Sequence, residues 1–516
     1  MANNIKNIIR QPTTLLALYV FVVFFFVSID SYTHNLIGRS ESAFLFTGGK
    51  AWINGMIPYI DFSAPVGPLL WFIYGIGYII SPFDYTGIFW LSAFIYILIY
   101  YFLYKTASIF LPNEPQSMLC AILLALFLFN PWFHNEMRAE QWAQLFITLS
   151  LYRACYTIYK NLSSKETKLT FLCFGISISA TFLIDISIAA MLCSIPALCF
   201  IYILRTHAHT YTAIGYFTIG MLIVAIPVAL VMLWLDMLSP FYHEYIWSTA
   251  NTEWQEFSIK QYIHDWQMTF AKPARMALFA LSIIGTLLMS KRVKVYPFFL
   301  LSTFIFFYAI AICNGRSNYH ISVCSIFPLY FFIGLFLQQR NKHQLLPPRF
   351  CVFVTLSIFT ITVLFNYTYT NGYALNELIF TGKHFAKDEG NDSDGPWVTS
   401  LFFTNSPYKD MFDKMGGRMA QVNKPSVVYV GLPDYGYGIL ADVLPGAKYW
   451  SMQKKTGPNF IKQQIKDIQT GKPDFVIIDN NDSTTYAQKA TIMDAGYKQV
   501  YAYKTRAHFF SLLSKH

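Results

Sequence analysis

Residues 68–80 read PLLWFIYGIGYII, an apolar run opened by a proline. Whether this run crosses a bilayer decides the side of every loop that follows it. A crossing helix needs about 20 apolar residues to bridge the hydrocarbon, so the run is short for a span and suited to lie along an interface. The chain around it has 516 residues, of which 55% are hydrophobic, 18% aromatic and 13% charged, with a mean hydropathy of +0.39. A soluble globular domain carries about 25% charged residues. Composition therefore dictates a polytopic α-helical membrane protein. The net charge of +10 does not argue for nucleic acid, because the basic residues concentrate in short loops between apolar runs, where they report topology.

Other apolar runs lie near 12–29, 86–104, 117–131, 140–158, 169–184, 186–204, 211–235, 273–290, 296–313, 320–338 and 350–368. If 68–80 stays out of the bilayer and the N-terminus is cytoplasmic, the inner segments hold Lys6, Arg10, Lys105, Lys160, Lys165, Lys168, Arg205, Lys291, Arg292, Lys294, Arg340, Lys342 and Arg349. The outer loops then collect Asp30, Glu41, Asp61, Asp84, Glu136, Glu140, Asp185, Glu244, Glu253 and Glu256. A crossing at 68–80 would move every later basic loop to the wrong side, so the positive-inside bias rejects it. The expected architecture is a domain over 1–369 with about eleven spans and an interfacial helix at 66–80, followed by an extracytoplasmic domain over 370–516. Residues 12–29 lack a small-residue cleavage site and read as a retained first helix rather than a signal peptide. The eight cysteines contain no CxxC pair, so no zinc or thiol-redox site is legible.

The outer loops are the unusual ones. The first includes ESAFLFTGGKAWING (41–55), which reads as a short helix with Phe44, Ala51 and Trp52 facing the bilayer boundary. Its Gly48-Gly49 pair weakens that helix. A second loop, 236–272, carries Trp247, Trp254 and Trp266, suited to an interfacial belt or to stacking on a sugar. Beyond 370, KPSVVYVGLPDYGYG, KPDFVIIDNN and KQVYAYKT read as strands. PNFIKQQIKDIQTGK has helical spacing at Ile461, Ile465 and Ile468. That order suggests a small α/β layer domain. Its GLPDYGYG is no dinucleotide fingerprint and reads as a glycine turn.

Charges at the expected outer rim are the candidates for chemistry. They are Glu41, Asp61, the group Glu136, Arg138 and Glu140 in HNEMRAEQ, Asp185, and the pair Arg316 and His320 in NGRSNYHIS (314–322) between two apolar runs. A charge at the edge of an apolar segment is costly and usually has a partner; a lipid phosphate is one. Moving a sugar from a lipid phosphate to a hydroxyl calls for a carboxylate as general base and a cation for the leaving phosphate, which arginine holds bidentately. Each residue also has a plainer reading. Arg316 suits a snorkelling anchor, His320 a structural hydrogen bond, Glu41 a helix first turn, Glu136 and Glu140 a solvated helix end, and Asp185 a turn. Glu41 and Glu136 would suit a divalent metal if the fold joined them, although nothing in the spacing demands one.

The stretch ESAFLFTGGKAWINGMIPYIDFSAPVGPLLWFIYGIG (41–77) resembles the first outer loop of the GT-C superfamily of glycosyltransferases, which includes protein O-mannosyltransferases and the lipid A aminoarabinose transferase. Matching positions are Glu41, then Gly55, Pro58, Tyr59 and Asp61, then Pro68 and Leu69, with a later rim element at Gly315, Arg316 and His320. The chain departs from that pattern in having Ser40-Glu41 for an aspartate-led pair, and FSAPVG where relatives carry a further acid and a lysine. The resemblance implies a membrane glycosyltransferase of the bacterial plasma membrane. Its donor is a polyprenyl-phosphate-linked sugar and its acceptor a lipid, glycan or protein hydroxyl. Glu41 is then the base and Arg316 a donor-phosphate ligand, with His320 and Arg138 as further cations and Glu136, Glu140 or Asp61 as a second carboxylate. A flippase for a lipid-linked glycan and a non-catalytic assembly factor are the competing readings; against the first stands the absence of an internal repeat.

Overall fold

The computed structural model describes residues 11–28, 40–130, 138–159, 163–206, 210–249, 267, 273–290, 292–294, 296–312, 321–339, 347–370, 414–432, 434, 441–451, 459–471, 473–480, 483–504 and 509–515. In chain order the helices are α1 (Pro12–Val27), α2 (Ser40–Ile53), α3 (Pro68–Ile80), α4 (Thr86–Phe110), α5 (Glu114–Leu123), α6 (Ala125–Leu128), α7 (Ala139–Tyr159), α8 (Ser164–Phe182), α9 (Ile186–Leu192), α10 (Ser194–Thr206) and α11 (Thr210–Trp234). There follow α12 (Leu238–Phe241), a π-helix (Tyr242–Trp247), α13 (Pro273–Ser290), α14 (Tyr296–Ile312), a 3₁₀ turn (Ile321–Ile326), α15 (Leu329–Gln339), α16 (Pro348–Thr370), α17 (Asn459–Gly471) and α18 (Ser483–Asp494). Helix covers most of the described part of each of the eleven expected apolar runs. Among the described residues, five helical stretches are long and apolar enough to cross a membrane: 86–110, 186–205, 210–234, 321–338 and 349–366.

The chain divides into two compact units. The first, 1–27 with 92–231 and 249–370, is a helical bundle. Its close crossings use small residues, as helix packing in lipid requires. Gly175 on α8 meets Gly220 on α11, where a Cβ on Gly175 would stand 2.2 Å from the Phe217 carbonyl oxygen. Gly285 on α13 meets the Phe331 backbone of α15 in the same way. One buried polar joint ties α7 to α8: Arg153 pairs with Glu166 at 2.7 Å and donates to Thr170 at 3.0 Å. Ile219, Leu222, Ile226 and Leu230 of α11 and Phe353 and Leu356 of α16 remain exposed, a belt of apolar surface suited to lipid.

The second unit joins three separate stretches: 28–91, 232–248 and 371–516. Its sheet has five strands, β1 (Ser426–Val430), β2 (Leu444–Pro445), β3 (Phe475–Asp479), β4 (Lys498–Lys504) and β5 (Phe509–Ser514), in the order β2-β1-β3-β5-β4. β1 runs parallel to β2 and β3; β5 is antiparallel to β3 and β4. Val428, Val430, Val476, Ile478 and Leu513 form one apolar core with Ile465 and Ile468 of α17 and Ile492 of α18. The expected strands at 426–430, 475–479 and 498–504 and the helix at 459–471 are all present. β2 and β5 are additions to the sequence reading.

Helix α3, the run expected to lie along an interface, has 13 residues, about 20 Å at 1.5 Å per residue, too short to bridge the hydrocarbon. One side, Trp71 and Tyr74, is buried, while Phe72, Ile79 and Ile80 stay exposed, the division expected of a helix lying in an interface. Two details of α2 correct the sequence reading. Phe44 and Ala51 do not face a bilayer boundary: they are buried, Phe44 between the rings of Trp450 and Trp71. The Gly48-Gly49 pair lies inside an intact helix. A Cβ on Gly48 would stand 2.1 Å from the Trp71 ring, and one on Gly49 would stand 2.5 Å from the Gly75 backbone nitrogen. The glycines weaken the helix by about 1 kcal/mol each, and the close seating of α3 that they permit offsets this.

Candidate functional site

Glu41 falls in the first turn of α2, where an acidic side chain is favoured by the helix dipole. Arg316, His320 and Glu136 lie outside the described residues. Arg138 and Glu140 open α7 in the bundle. The Arg138 backbone nitrogen donates to Gln141 Oε1 at 2.8 Å, and Glu140 is buried. Asp185 is the N-cap of α9, accepting from the backbone nitrogens of Ser187 at 2.8 Å and Ile188 at 3.0 Å, which is the turn role. Asp61 is exposed, and its Oδ2 accepts from the Ile57 backbone nitrogen at 2.6 Å. It closes a tight turn around Tyr59, whose φ is +67°. Such a value is rare for a bulky residue. Tyr59 is held there because its ring is buried and its hydroxyl donates to the Val66 carbonyl at 2.6 Å. The P-Y-x-D segment thus shapes the loop leading into α3.

Two charged constellations in the second unit escaped the sequence reading. The first runs along α2. Phe44 stacks on Trp450 with ring centroids 4.4 Å apart, and Thr47 Oγ1 donates to Asp434 Oδ2 at 2.7 Å. Lys50 Nζ lies 3.5 Å from Asp442 Oδ1, and Lys424 Nζ donates to Asn54 Oδ1 at 2.5 Å. Positions 44, 47 and 50 follow helical spacing, and Asn54 continues their line in the turn just past Ile53, so this stripe meets the sheet domain along the length of α2. Lys50 is 1% exposed. Burial lowers its pKa to about 8, with Asp442 and Asp434 opposing the shift. Tyr78 of α3 donates to the other oxygen of Asp442 at 3.3 Å, and burial raises its own pKa. Asp442 has a φ of +53°, a left-handed conformation that aspartate tolerates better than most residues.

The second constellation centres on Glu244 of the π-helix. Its Oε1 lies 2.7 Å from Lys448 Nζ and accepts from Tyr449 at 3.0 Å, and its Oε2 accepts from Ser63 at 2.9 Å. The Ser63 backbone nitrogen also donates to the Lys448 carbonyl at 2.8 Å. Glu244 thereby joins all three stretches of the unit. A π-helix often marks a position under functional demand. Trp247 of the same segment is exposed, while Trp254 and Trp266 lie outside the described residues. Among the described residues, no group of three His, Cys, Asp or Glu side chains is placed to hold a metal ion.

One signal in the sequence was available for the first constellation. Lys50 interrupts FLFTGGKAW just as Arg316 interrupts its own apolar surroundings, and a charge so placed needs a partner.

A helical unit and a second unit built around a five-stranded sheet make up a fold that solved structures share. The particular likeness is to ArnT from Cupriavidus metallidurans. Its apo state matches with a TM-score of 0.59 at 11% identity, over 96% of this chain and 97% of that one. The same protein bound to undecaprenyl phosphate matches with a TM-score of 0.57 at 11% identity and the same coverage. At that identity the likeness is one of fold. No protein-family model matches the chain, and no curated protein matches it.

Proposed function

We propose that the protein is a glycosyltransferase of the bacterial plasma membrane that moves a sugar from a polyprenyl-phosphate donor to an acceptor hydroxyl on the outer face. The observation that carries this reading is the ArnT fold, shared over 96% of the chain, with an acid, Glu41, in the first turn of the first outer-loop helix. In this reading the N-terminus is cytoplasmic. Residues 1–369 form the membrane domain with about eleven spans, and 370–516 are extracytoplasmic.

Glu41 takes the proton of the acceptor hydroxyl as general base. The oxygen attacks the anomeric carbon from the face opposite the phosphate, so the C–O bond to phosphate breaks with inversion. Arg316, His320 and Arg138 take up the charge on the departing polyprenyl phosphate by charge-assisted hydrogen bonds. A phosphate monoester is a weak base, so no acid is required at the leaving group. Glu136, Glu140 and Asp61 are the remaining carboxylates proposed around the acceptor.

Supplying purified protein with a polyprenyl-phosphate sugar and following release of the polyprenyl phosphate tests the reading. Glu41→Gln and Arg316→Ala are each expected to abolish transfer without loss of expression. Full activity in both would remove this site assignment. Mass spectrometry of the co-purifying lipid should find a polyprenyl phosphate or its glycosylated form.

A further inference from the structure

We propose that Lys50 and Asp442 are positioning residues: their buried pair fixes the rotation and axial register of α2 against the sheet domain, and so sets where Glu41 stands. This rests on the reading of Glu41 as the base. The stripe Phe44, Thr47, Lys50 and Asn54 starts one turn after Glu41, and every member meets a residue of the sheet domain. Three of those four contacts are polar: two are hydrogen bonds and the third, Lys50 with Asp442, is a buried ion pair at 3.5 Å. Apolar packing alone tolerates sliding, whereas a buried donor displaced from its acceptor is left unsatisfied, at high cost. Lys50 is the most stringent member, since it is 1% exposed and a buried cation without its partner is strongly destabilising.

The side of α2 that meets α3 allows no compensating movement. Gly48 already receives the Trp71 ring and Gly49 the Gly75 backbone. The helix is therefore held between a glycine-lined contact with α3 and a polar ladder on the sheet domain. A carboxylate that must reach an acceptor hydroxyl at hydrogen-bond distance depends on such placement. A displacement of about 1 Å costs on the order of a hundredfold in rate.

The test uses full-length protein in lipid nanodiscs. Lys50→Met, Asp442→Asn and the double variant are compared by amide hydrogen exchange across α2 and by donor kinetics. Each single variant is expected to speed exchange in α2 and to lower kcat roughly tenfold to a hundredfold, with KM for the donor unchanged. The double variant leaves no unpaired charge, so its melting temperature should recover, but with the pair gone its exchange in α2 stays fast and its kcat stays low. Asp442→Asn keeps the assay informative should Lys50→Met fail to fold, because Asp442 is the more exposed partner. Unchanged exchange in the single variants, or faster exchange with unaltered kcat, would overturn the proposal. So would a double variant with wild-type exchange and kcat, because α2 would then keep its register without the pair. Full activity of Glu41→Gln would instead sink the base assignment and leave the exchange result standing.

Discussion

Phe44 and Trp450 lie face to face, 4.4 Å between ring centroids and 5° from parallel, although one belongs to α2 and the other to the sheet domain about 400 residues further on. Trp71 of α3 and Phe62 pack around the pair, Phe62 meeting both Trp71 and Trp450 edge-on. This aromatic box is a buried cluster of the second unit beside the core of its sheet.

Trp450→Ala should therefore destabilise the second unit by about 3–5 kcal/mol, the usual cost of emptying a buried tryptophan site. About 1 kcal/mol of that belongs to ring geometry beyond area. Trp450→Phe keeps a ring over Phe44 and should retain most of the stability. Thermal unfolding of the purified protein followed by hydrogen exchange in β1 and α2 measures both.

The glycines of α2 make a second case. Gly49→Ala would push a methyl group into the Gly75 backbone, which cannot move aside, and Gly48→Ala into the Trp71 ring. Each should cost about 1–3 kcal/mol by overpacking, despite alanine being the better helix former. Gly215→Ala is the control. A Cβ there meets nothing within 4 Å, so the same substitution should raise helix stability by up to ~1 kcal/mol. Melting temperatures moving in one direction for all three would refute this account.

Much of the fold was legible because its signals are local. The eleven apolar runs follow from length and hydropathy, and α17 from the spacing of Ile461, Ile465 and Ile468. β5 was not legible: FFSLLS (509–514) does not alternate, since it is a central strand buried on both faces, and such a run cannot be told from a helix by period. The candidate site divides in the same way. Glu41 and the Arg316–His320 pair announce themselves as charges among apolar neighbours. Lys50 carries the same signal, but its partner comes from a distant part of the chain; 387 residues separate Thr47 from Asp434. No periodicity links such positions, and only the folded unit joins them.

Lys50 also gives the second unit a pH dependence of definite sign. In the folded state its pKa is lowered to about 8 by burial, against an ordinary 10.5, with Asp442 and Asp434 attracting and Lys424 repelling the ammonium. Between those two values the unfolded chain holds a proton that the folded chain has released, so Lys50 makes stability rise with pH across that window. Tyrosines such as Tyr78, raised by burial, act in the opposite direction near their own ionisation. The comparison is therefore between wild type and Lys50→Met, from pH 7.5 to 10. The variant should show a smaller rise, or a steeper fall, in melting temperature than the wild type. Parallel curves would mean that Lys50 does not titrate in this window.

Glu244 should prove a shared acceptor whose contacts do not add. Lys448 is about a third exposed, so its ion pair is screened and Lys448→Met should cost no more than about 1 kcal/mol. Tyr449→Phe removes one hydrogen bond to a charged acceptor, worth ~2 kcal/mol. Glu244→Leu deprives Ser63, Tyr449 and Lys448 of their common acceptor at once, and should cost more than either single change at the rim. Once Glu244 is gone, Tyr449→Phe has nothing left to lose. The double variant Glu244→Leu with Tyr449→Phe should then match Glu244→Leu alone to within ~0.5 kcal/mol. Full additivity in that cycle would show that the tyrosine is held by packing against Phe460 and that Glu244 does not join the three stretches of the unit.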